Sequence, residues 1–395
     1  MGLILLRRAY AGDSNTAPGT SNPITQIVKD GTSVGLTSSL NPSSPQVSVT
    51  FSALVVGTSG IPTGSVRFLD GGVLLGTVTL DATGAANFTT SSLSVTTHHI
   101  TASYSGDANS IASSSTLNQI VVASSTATTL ITSNPDVPYG TAVTFSASVT
   151  GSGSVTPTGT ISFQEGTTVL GTLTLDIHGA AALTLSTLSV ASHSIRAVYG
   201  GDANNGASNS AAVQETIEQI TTTTAITSNA ATAPAGSSIQ LTATITPASS
   251  VPSSPITGTV TFMDGTTTLG AATVSGGTVT ITLNSLAVGQ HTIFAIYGGS
   301  AIYAGSISTT IVQKVQQAVT SGTLIASANP SIAGKSDTLT VSITSNGGVP
   351  TGVVTFMDGA TVLGTAALNA QGIASLYGAF FFHGDSPDHC RLRRR

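Results

Sequence analysis

The stretch PTGSVRFLDGGVLLGTVTL, residues 62–80, decides the fold because the chain writes the same pattern three more times. The later copies begin at Pro157, Pro255 and Pro350, and they read PTGTISFQEGTTVLGTLTL, PITGTVTFMDGTTTLGAATV and PTGVVTFMDGATVLGTAAL. Each copy contains a turn, a strand of alternating apolar residues, an acidic residue followed by glycine, and a second strand. This pattern predicts a β-hairpin, with the acidic residue and glycine at its tight turn.

The spacing of the copies sets the size of the repeating unit. The equivalent phenylalanines of the hairpins are separated by 95, 99 and 94 residues, and they are Phe68, Phe163, Phe262 and Phe356. A strict alternation precedes the first hairpin, with Val47, Val49, Phe51, Ala53 and Val55 on one face. About seven strands fit in each unit, as in an immunoglobulin-type sandwich. The sequence therefore predicts an all-β chain of tandem immunoglobulin-like β-sandwiches, each with about seven antiparallel strands, in a linear array.

The same alignment predicts the domain boundaries. Residues 1–30 contain LRRAYAGDSN, which matches IRAVYGGDAN from Ile195, so we interpret them as the last strands of a preceding repeat. Three complete repeats are predicted at 31–123, 124–220 and 221–318, and an incomplete fourth repeat with a divergent tail at 319–395. With half of its core missing, the fourth repeat is expected to be poorly ordered or prone to aggregate. Completion of this repeat by residues 1–30 of another chain is the alternative.

The divergent tail reads IASLYGAFFFHGDSPDHCRLRRR and departs from the other copies after Gly372. His383, Asp385, Asp388, His389 and Cys390 are residue types that bind zinc. Their abrupt appearance favours a frameshift, a deletion or a fragment end over a zinc site.

Composition excludes several classes of function. Only 7% of the residues are charged, and the net charge of −5 argues against a nucleic-acid partner. The single cysteine excludes an intrachain disulfide framework. No apolar run reaches the roughly 18 to 20 residues of a membrane span. The opening MGLILLRRAY is a poor signal peptide, so a missing N-terminus is suspected for a protein expected to be extracellular or on the cell surface.

The residues also carry a family resemblance. The run "PTG, strand, DG, strand, LG" followed by L-x-x-x-x-H-x-I-x-A-x-Y-x-G-D-A-N resembles the bacterial immunoglobulin-like (Big) domains of group 3. The resemblance covers three complete repeats, part of a fourth and the tail of a preceding one. It implies a stalk, spacer or adhesive array on a bacterial surface, often joined to a distinct functional domain, and it implies no catalytic residues.

Recurring side chains have structural interpretations. His98, His193 and His291 lie two residues before an isoleucine, where antibody-type domains place a corner tyrosine before the second cysteine. We interpret these histidines as corner residues, because a metal site would need partner ligands that do not recur beside them. The hairpin phenylalanines are interpreted as core residues that replace a buried tryptophan.

The Gly-Asp-Ala-Asn loops are the candidates for a cofactor. Asp107 with Asn109, and Asp202 with Asn204, place oxygen atoms close together, as a calcium site would. Calcium usually takes six to eight oxygens, and the third repeat has Ser300 instead, so a capped turn is the preferred interpretation. No catalytic or cofactor-binding residue is predicted.

Two classes of function follow. The first is a non-enzymatic spacer of Ig-like domains that supports adhesion from a surface or secreted protein, with neighbouring repeats of a longer chain as its partners. The alternative is an adhesive module that binds a glycan or a host or cell-surface protein through its loops, or a set of accessory domains of a larger secreted enzyme. The loops that differ most between the copies are residues 57–61, 151–156, 247–254 and 345–349.

Overall fold

A computed structural model describes residues 2–251, 254–332, 334–384 and 390–394. The chain divides into two structural units, Met1–Val137 with Thr141–Ile217, and Pro138–Gly140 with Glu218–Arg395. Within the described ranges, no helix is long and apolar enough to cross a membrane.

The opening segment is a small pair of antiparallel ladders. Its strands are β1 (Gly2–Leu6), β2 (Ala9–Tyr10), β3 (Gly19–Thr20) and β4 (Ile24–Val28). Strand β1 pairs with β4, and β2 pairs with β3. The assignment of this segment to a preceding repeat stays a prediction, as do the other domain boundaries.

The first repeat is a sandwich of two antiparallel sheets. Its strands are β5 (Thr32–Ser38), β6 (Val49–Gly57), β7 (Ser65–Asp70), β8 (Val73–Thr79), β9 (Ala85–Thr90), β10 (Thr97–Tyr104) and β11 (Ser113–Ile120). One sheet has the order β5-β6-β9, and the other has the order β11-β10-β7-β8. The predicted seven strands are present, although Val47 lies before β6 and is exposed.

The second and third repeats copy this arrangement and add two very short strands each. The second contains β12 (Thr126–Thr132), β13 (Asp136–Pro138), β14 (Val143–Gly151), β15 (Thr160–Glu165), β16 (Thr168–Thr174), β17 (Ala180–Leu185), β18 (Ser192–Tyr199), β19 (Ser208–Asn209) and β20 (Val213–Glu218). The third contains β21 (Thr222–Ser228), β22 (Thr232–Pro234), β23 (Ile239–Pro247), β24 (Thr259–Asp264), β25 (Thr267–Thr273), β26 (Thr278–Leu283), β27 (Gly289–Tyr297), β28 (Ser306–Ile307) and β29 (Ile311–Gln316).

Alternating side chains fill the space between the two sheets of each complete repeat. Phe51 on one sheet and Phe68, Ile100 and Tyr104 on the other are at most 1% exposed. The equivalent Phe163 and Phe262 are fully buried as well. Since neighbouring residues of a strand point to opposite faces, every second residue enters the core and the rest face water. The predicted all-β fold of tandem immunoglobulin-like sandwiches is confirmed.

Two contacts between strands recur in the repeats, one between the sheets and one on the outer surface. A glycine on the strand after the hairpin turn lies under a large side chain of the facing sheet, and a Cβ atom on Gly76 would come within 2.5 Å of the Phe88 ring. On the exposed face of the other sheet, hydroxyl groups pair across strands, as in Thr50 with Thr89 at 2.9 Å and Thr144 with Thr184 at 2.8 Å. The surface is thus built from hydroxyl groups where most proteins place charges.

In the described part of the fourth repeat, one of the two sheets has fewer strands than its counterpart in the complete repeats. Its strands are β30 (Thr320–Ala326), β31 (Ser336–Ser345), β32 (Val353–Asp358), β33 (Thr361–Ala367), β34 (Ile373–Gly384) and β35 (Cys390–Arg394). Within the described ranges, β32 and β33 form a sheet of two strands, whereas β30, β31, β34 and β35 form the other sheet. Leu324 is 60% exposed here, although its counterpart Leu130 in the second repeat is 8% exposed. The side chains of His383 and Cys390 are not described, and Asp385, Asp388 and His389 lie outside the described residues.

The contrast between Leu130 and Leu324 yields a stability prediction. Leu130→Ala should lower the free energy of unfolding of the second repeat by about 2–5 kcal/mol, because it leaves a cavity between two packed sheets. Leu324→Ala should change stability by no more than about 0.5 kcal/mol, because most of that side chain already faces water. Chemical denaturation of the full chain with calorimetry of each variant measures both effects. Equal losses in the two variants would contradict the open core of the fourth repeat.

Candidate functional site

A buried histidine joins three parts of the first repeat at one end of its sandwich. His98 lies on β10 and is 7% exposed. Its Nδ1 atom is 2.7 Å from Oδ2 of Asp70, the last residue of β7. Its Nε2 atom is 2.9 Å from the carbonyl oxygen of Ser94, in the loop before β10. The imidazole therefore ties the hairpin turn to this loop.

The second and third repeats contain the same cluster. His193 lies 3.0 Å from Glu165 and 2.9 Å from the carbonyl oxygen of Ser189. His291 lies 2.6 Å from Asp264 and 2.8 Å from the carbonyl oxygen of Ala287. A carbonyl oxygen only accepts hydrogen bonds, so Nε2 of each ring carries a proton and donates it. A carboxylate oxygen lies within hydrogen-bond distance of Nδ1, so each ring links an acidic side chain to a backbone carbonyl.

These contacts change the proton affinity of two rings. Burial alone would lower the pKa of His193, but its hydrogen bonds to the Ser189 carbonyl and to Glu165 outweigh burial and raise it. The pKa of His291 is likewise raised, because the Ala287 carbonyl and Asp264 together outweigh the effect of burial. Both folded repeats thus favour the charged histidine.

Sequence reasoning located the histidines but missed their acidic partners. At the corner position, His98 contacts nearby backbone through the Ser94 carbonyl. The acidic residue lies at the first position of the tight turn, since Asp70 pairs with Val73 across it. Asp70 ends β7, whereas the positive φ of 53° belongs to Gly71. The missed signal is the constant separation of histidine and acid, which is 28, 28 and 27 residues in the three complete repeats.

A third polar residue lies beside each histidine on the neighbouring strand. Gln119 is fully buried, accepts a hydrogen bond from Ser38 at 2.6 Å, and donates one to the Leu40 carbonyl at 2.9 Å. Gln313 holds the same position in the third repeat. The second repeat has Glu215 there, also fully buried.

Glu215 is less well satisfied than the glutamines. Its Oε2 accepts a hydrogen bond from Thr132 at 2.6 Å, but its Oε1 has no partner among the described residues. The first repeat has the Gln119 amide at this position, and that amide donates to the Leu40 carbonyl. A buried polar atom without a partner costs about 1–3 kcal/mol.

The calcium candidates lie at the opposite end of the sandwich. Oδ2 of Asp107 accepts hydrogen bonds from the backbone and hydroxyl of Thr63, each at 2.8 Å. Its Oδ1 accepts from the backbone of Asn109 at 2.7 Å and of Ser110 at 2.6 Å. The Thr63 backbone contact is the largest of the effects that hold the pKa of Asp107 far below its usual value. Both oxygens are thus engaged by the protein's own donors.

Asp202 forms the equivalent clamp in the second repeat. Burial would raise the pKa of Asp202, but hydrogen bonds from the backbone of Thr158 and Asn204, with other donors, hold it far below its usual value. In the third repeat Ser300 replaces this aspartate, and Tyr303 instead donates to the Ser254 carbonyl at 2.7 Å. Over the described ranges, no three His, Cys, Asp or Glu side chains come together to hold a metal ion.

The opening segment carries the same clamp. Oδ1 of Asp13 accepts hydrogen bonds from the backbone of Asn15 and of Thr16, each at 2.8 Å. Tyr10 donates to its Oδ2 at 2.9 Å. These donors, with the Asn15 backbone first, lower the pKa of Asp13 to about 2.

The sequence matches one family along most of its length. A sequence profile of the bacterial Ig-like domain (group 3) matches residues 36–123, 129–218, 226–316 and 324–385. The chain belongs to this family. The resemblance stated from the hairpin and histidine motifs is therefore confirmed, and each match is a bacterial Ig-like domain. No match was found among curated proteins.

Solved structures with weak similarity include three multidomain proteins. The D1–D4 ectodomain fragment of ICAM-5 is 14% identical, with a TM-score of 0.33 over 92% of this chain and 98% of its own. The I67–I69 fragment of titin is 13% identical, with a TM-score of 0.29 over 71% and 98%. The Escherichia coli adhesin FdeC is 13% identical, with a TM-score of 0.28 over 72% and 96%. No property of these bacterial Ig-like domains is inferred from such low scores.

Shallow grooves lie beside two of the loops that vary between the Ig-like domains. In the first domain, Val55, Gly57, Ile61 and Pro62 border a groove of about 290 Å³. In the third, a groove of about 320 Å³ is lined by residues including Ile245, Val251, Ile256 and Tyr303. Both grooves are largely apolar, whereas the histidine and aspartate clusters are closed by hydrogen bonds within their own domains.

Exchanging a carboxylate for an amide at Glu215, or the reverse at Gln119, tests the role of the buried residue beside each histidine. Glu215→Gln should raise the free energy of unfolding of the second domain by about 1–3 kcal/mol, because an amide that can donate replaces a buried oxygen that has no partner among the described residues. The reciprocal change Gln119→Glu should destabilise the first domain by a similar amount. Calorimetry of the full chain measures the unfolding transitions of the domains. A loss of stability in the Glu215→Gln variant would contradict the inference that the carboxylate is less well satisfied than the amide.

The histidine pairs predict a pH dependence. A pKa raised by folding adds stability that is complete below the unfolded value of about 6.5 and is lost as the pH rises through the folded pKa. The second and third domains should therefore unfold at lower temperature when the pH is raised from about 6 to about 9. His193→Gln should remove this slope from the second domain only, while His178→Gln, at an exposed turn, should leave it intact. Constant or rising stability over this range would contradict the ion pairs.

Proposed function

We propose that the chain is a non-enzymatic spacer array from a bacterial cell-surface or secreted protein, where it serves as a stalk that supports adhesion. The observation that carries the proposal is that each complete domain bonds its recurring histidine to groups of the same domain. His98 with Asp70 at one end, and Asp107 with Thr63 at the other, bind parts of the same domain to each other. Residues repeated in this way stabilise copies of a scaffold, whereas catalysis needs one asymmetric set of groups.

The connection between the first and second domains also favours a spacer. Val121 donates to the Thr96 carbonyl at 2.9 Å, and Val122 donates to the Ser43 carbonyl at 3.0 Å, so both are held by the first domain. Ser124 donates to the Asn204 carbonyl at 2.9 Å and is held by the second. Ala123 alone separates the two sets of hydrogen bonds. So short a connection restricts the motion of one domain relative to its neighbour.

The grooves favour a second candidate function, binding of a glycan or of a host or cell-surface protein through the variable loops. Ile61 is 64% exposed beside the groove of the first domain, in a loop that differs from its counterparts. A role as accessory domains of a larger secreted enzyme is compatible with the same features. Neither calcium nor nucleic acid is part of the proposal.

Small-angle X-ray scattering of the full chain tests the spacer. A sandwich of this size is about 30 Å long, so three in line extend on the order of 100 Å. We therefore expect a radius of gyration well above the roughly 21 Å of a compact protein of this length. Added calcium should leave the profile unchanged, because Asp107 and Asp202 already accept hydrogen bonds from their own loops.

The Asp202→Asn variant is the matched control for the calcium measurement. A compact particle would count against the spacer and favour the binding module. A particle that stiffens with calcium in the parent chain, but not in this variant, would show that the loops bind the ion.

A further inference from the structure

Two asparagines in the chain precede a glycine, Asn205–Gly206 and Asn346–Gly347. Asparagine is thermally labile because the backbone nitrogen of the next residue can attack its side-chain amide. Glycine in the next position removes the Cβ atom that would hinder this attack. The two dipeptides have the same chemistry and differ in their surroundings. The rate at one asparagine therefore serves as the reference for the rate at the other.

Asn346 is the less confined of the two asparagines. It is exposed, in the loop between β31 and β32. Its Oδ1 accepts a hydrogen bond from the Val319 backbone at 2.8 Å, which draws electrons from the side-chain carbonyl carbon. The backbone nitrogen of Gly347, the attacking atom, donates to the nearby hydroxyl of Ser345 at 3.1 Å, a local contact that spans two residues. Among the described residues, no hydrogen bond holds the departing Nδ2.

Asn205 is buried, and its surroundings restrain the groups that must react. It is 1% exposed, and its Nδ2 donates to both carboxylate oxygens of Asp202 at 3.1 Å. The backbone nitrogen of Gly206 donates to the Ser124 carbonyl at 2.8 Å. Attack here requires the loop to open first, and its rate falls with the population of the open state.

We propose that Asn346 is a site of spontaneous modification, at which the amide converts to aspartate or isoaspartate. The Gly347 nitrogen loses its proton and bonds to Cγ of Asn346, while the Cγ–Nδ2 bond breaks and ammonia leaves. Water then opens the cyclic imide at either carbonyl. Opening at Cγ returns a normal backbone with an aspartate side chain, and opening at the backbone carbonyl gives isoaspartate.

The site lies where the third and fourth domains touch within one structural unit. The Gly348 backbone donates to the Ala235 carbonyl at 3.1 Å. A Cβ atom on Gly347 would lie 2.2 Å from that carbonyl oxygen, and one on Gly236 would lie 2.6 Å from Gly348. Isoaspartate adds a methylene group to the main chain at this crowded place. Modification should therefore break the Gly348–Ala235 hydrogen bond and loosen the contact.

The test is incubation of the full chain at mildly alkaline pH in native buffer and in concentrated urea. Peptide mass spectrometry follows the conversion of amide to acid at both asparagines, and electron-transfer fragmentation separates aspartate from isoaspartate. Urea exposes both dipeptides equally, so each site has its own unfolded reference rate. Relative to its own rate in urea, we expect Asn346 to react in the native chain about tenfold or more faster than Asn205, because attack at Asn205 must wait for its loop to open.

Equal protection of both sites in the native chain would overturn the proposal. Hydrogen exchange at Gly348 reports the consequence, and it should accelerate as isoaspartate accumulates. The Asn346→Gln variant, which cannot form the five-membered ring, should keep slow exchange through the same incubation. If Gly348 exchange rises equally in this variant, the modification is not what loosens the contact.

Discussion

A hydrogen-bonded imidazole is the crosslink on which each complete sandwich depends. The chain has one cysteine, so no disulfide can join strands within a domain. His98 instead bonds to a carboxylate at the end of β7 and to a carbonyl in the loop before β10, which fixes the hairpin relative to its neighbours. A rigid ring with a hydrogen bond at each nitrogen defines direction as well as distance. Such an element specifies register, which alternation of Val, Phe and Ile alone leaves open.

The opposite end of the sandwich uses a carboxylate as an acceptor for backbone groups. Asp107 and Asp202 hold the loop after one strand against the Thr of the PTG motif, and Asp13 makes part of the same clamp in the opening segment. The third domain reaches the same result with Tyr303 and without an acid. The clamp can therefore be replaced by other chemistry that closes the same loops, which is typical of a structural role.

The sequence was sufficient for the architecture because repetition and period-two alternation are properties of the chain itself. It placed Phe68 in the core and His98 at a corner, and both side chains are buried. It could not pair His98 with Asp70, because a contact across 28 residues depends on how β7 and β10 align in the sheet. It also gave no sign that Oε1 of Glu215 would lack a partner, since that depends on which groups folding brings near this oxygen. The exposure of Leu324 accompanies an opposite sheet that has two strands among the described residues instead of four, and only the packing reveals its extent.

The hydroxyl pairs on the outer sheets bear on how the protein responds to dissolved ions. Thr50 with Thr89 and Thr242 with Thr280 hold neighbouring strands together by uncharged contacts in water. Salt weakens attraction between exposed charges over a Debye length of about 8 Å at physiological ionic strength, but it has little effect on neutral hydroxyls. A surface of this kind gives the molecule much the same cohesion in dilute and in concentrated salt, and it leaves polyvalent counterions few places to bridge one chain to the next.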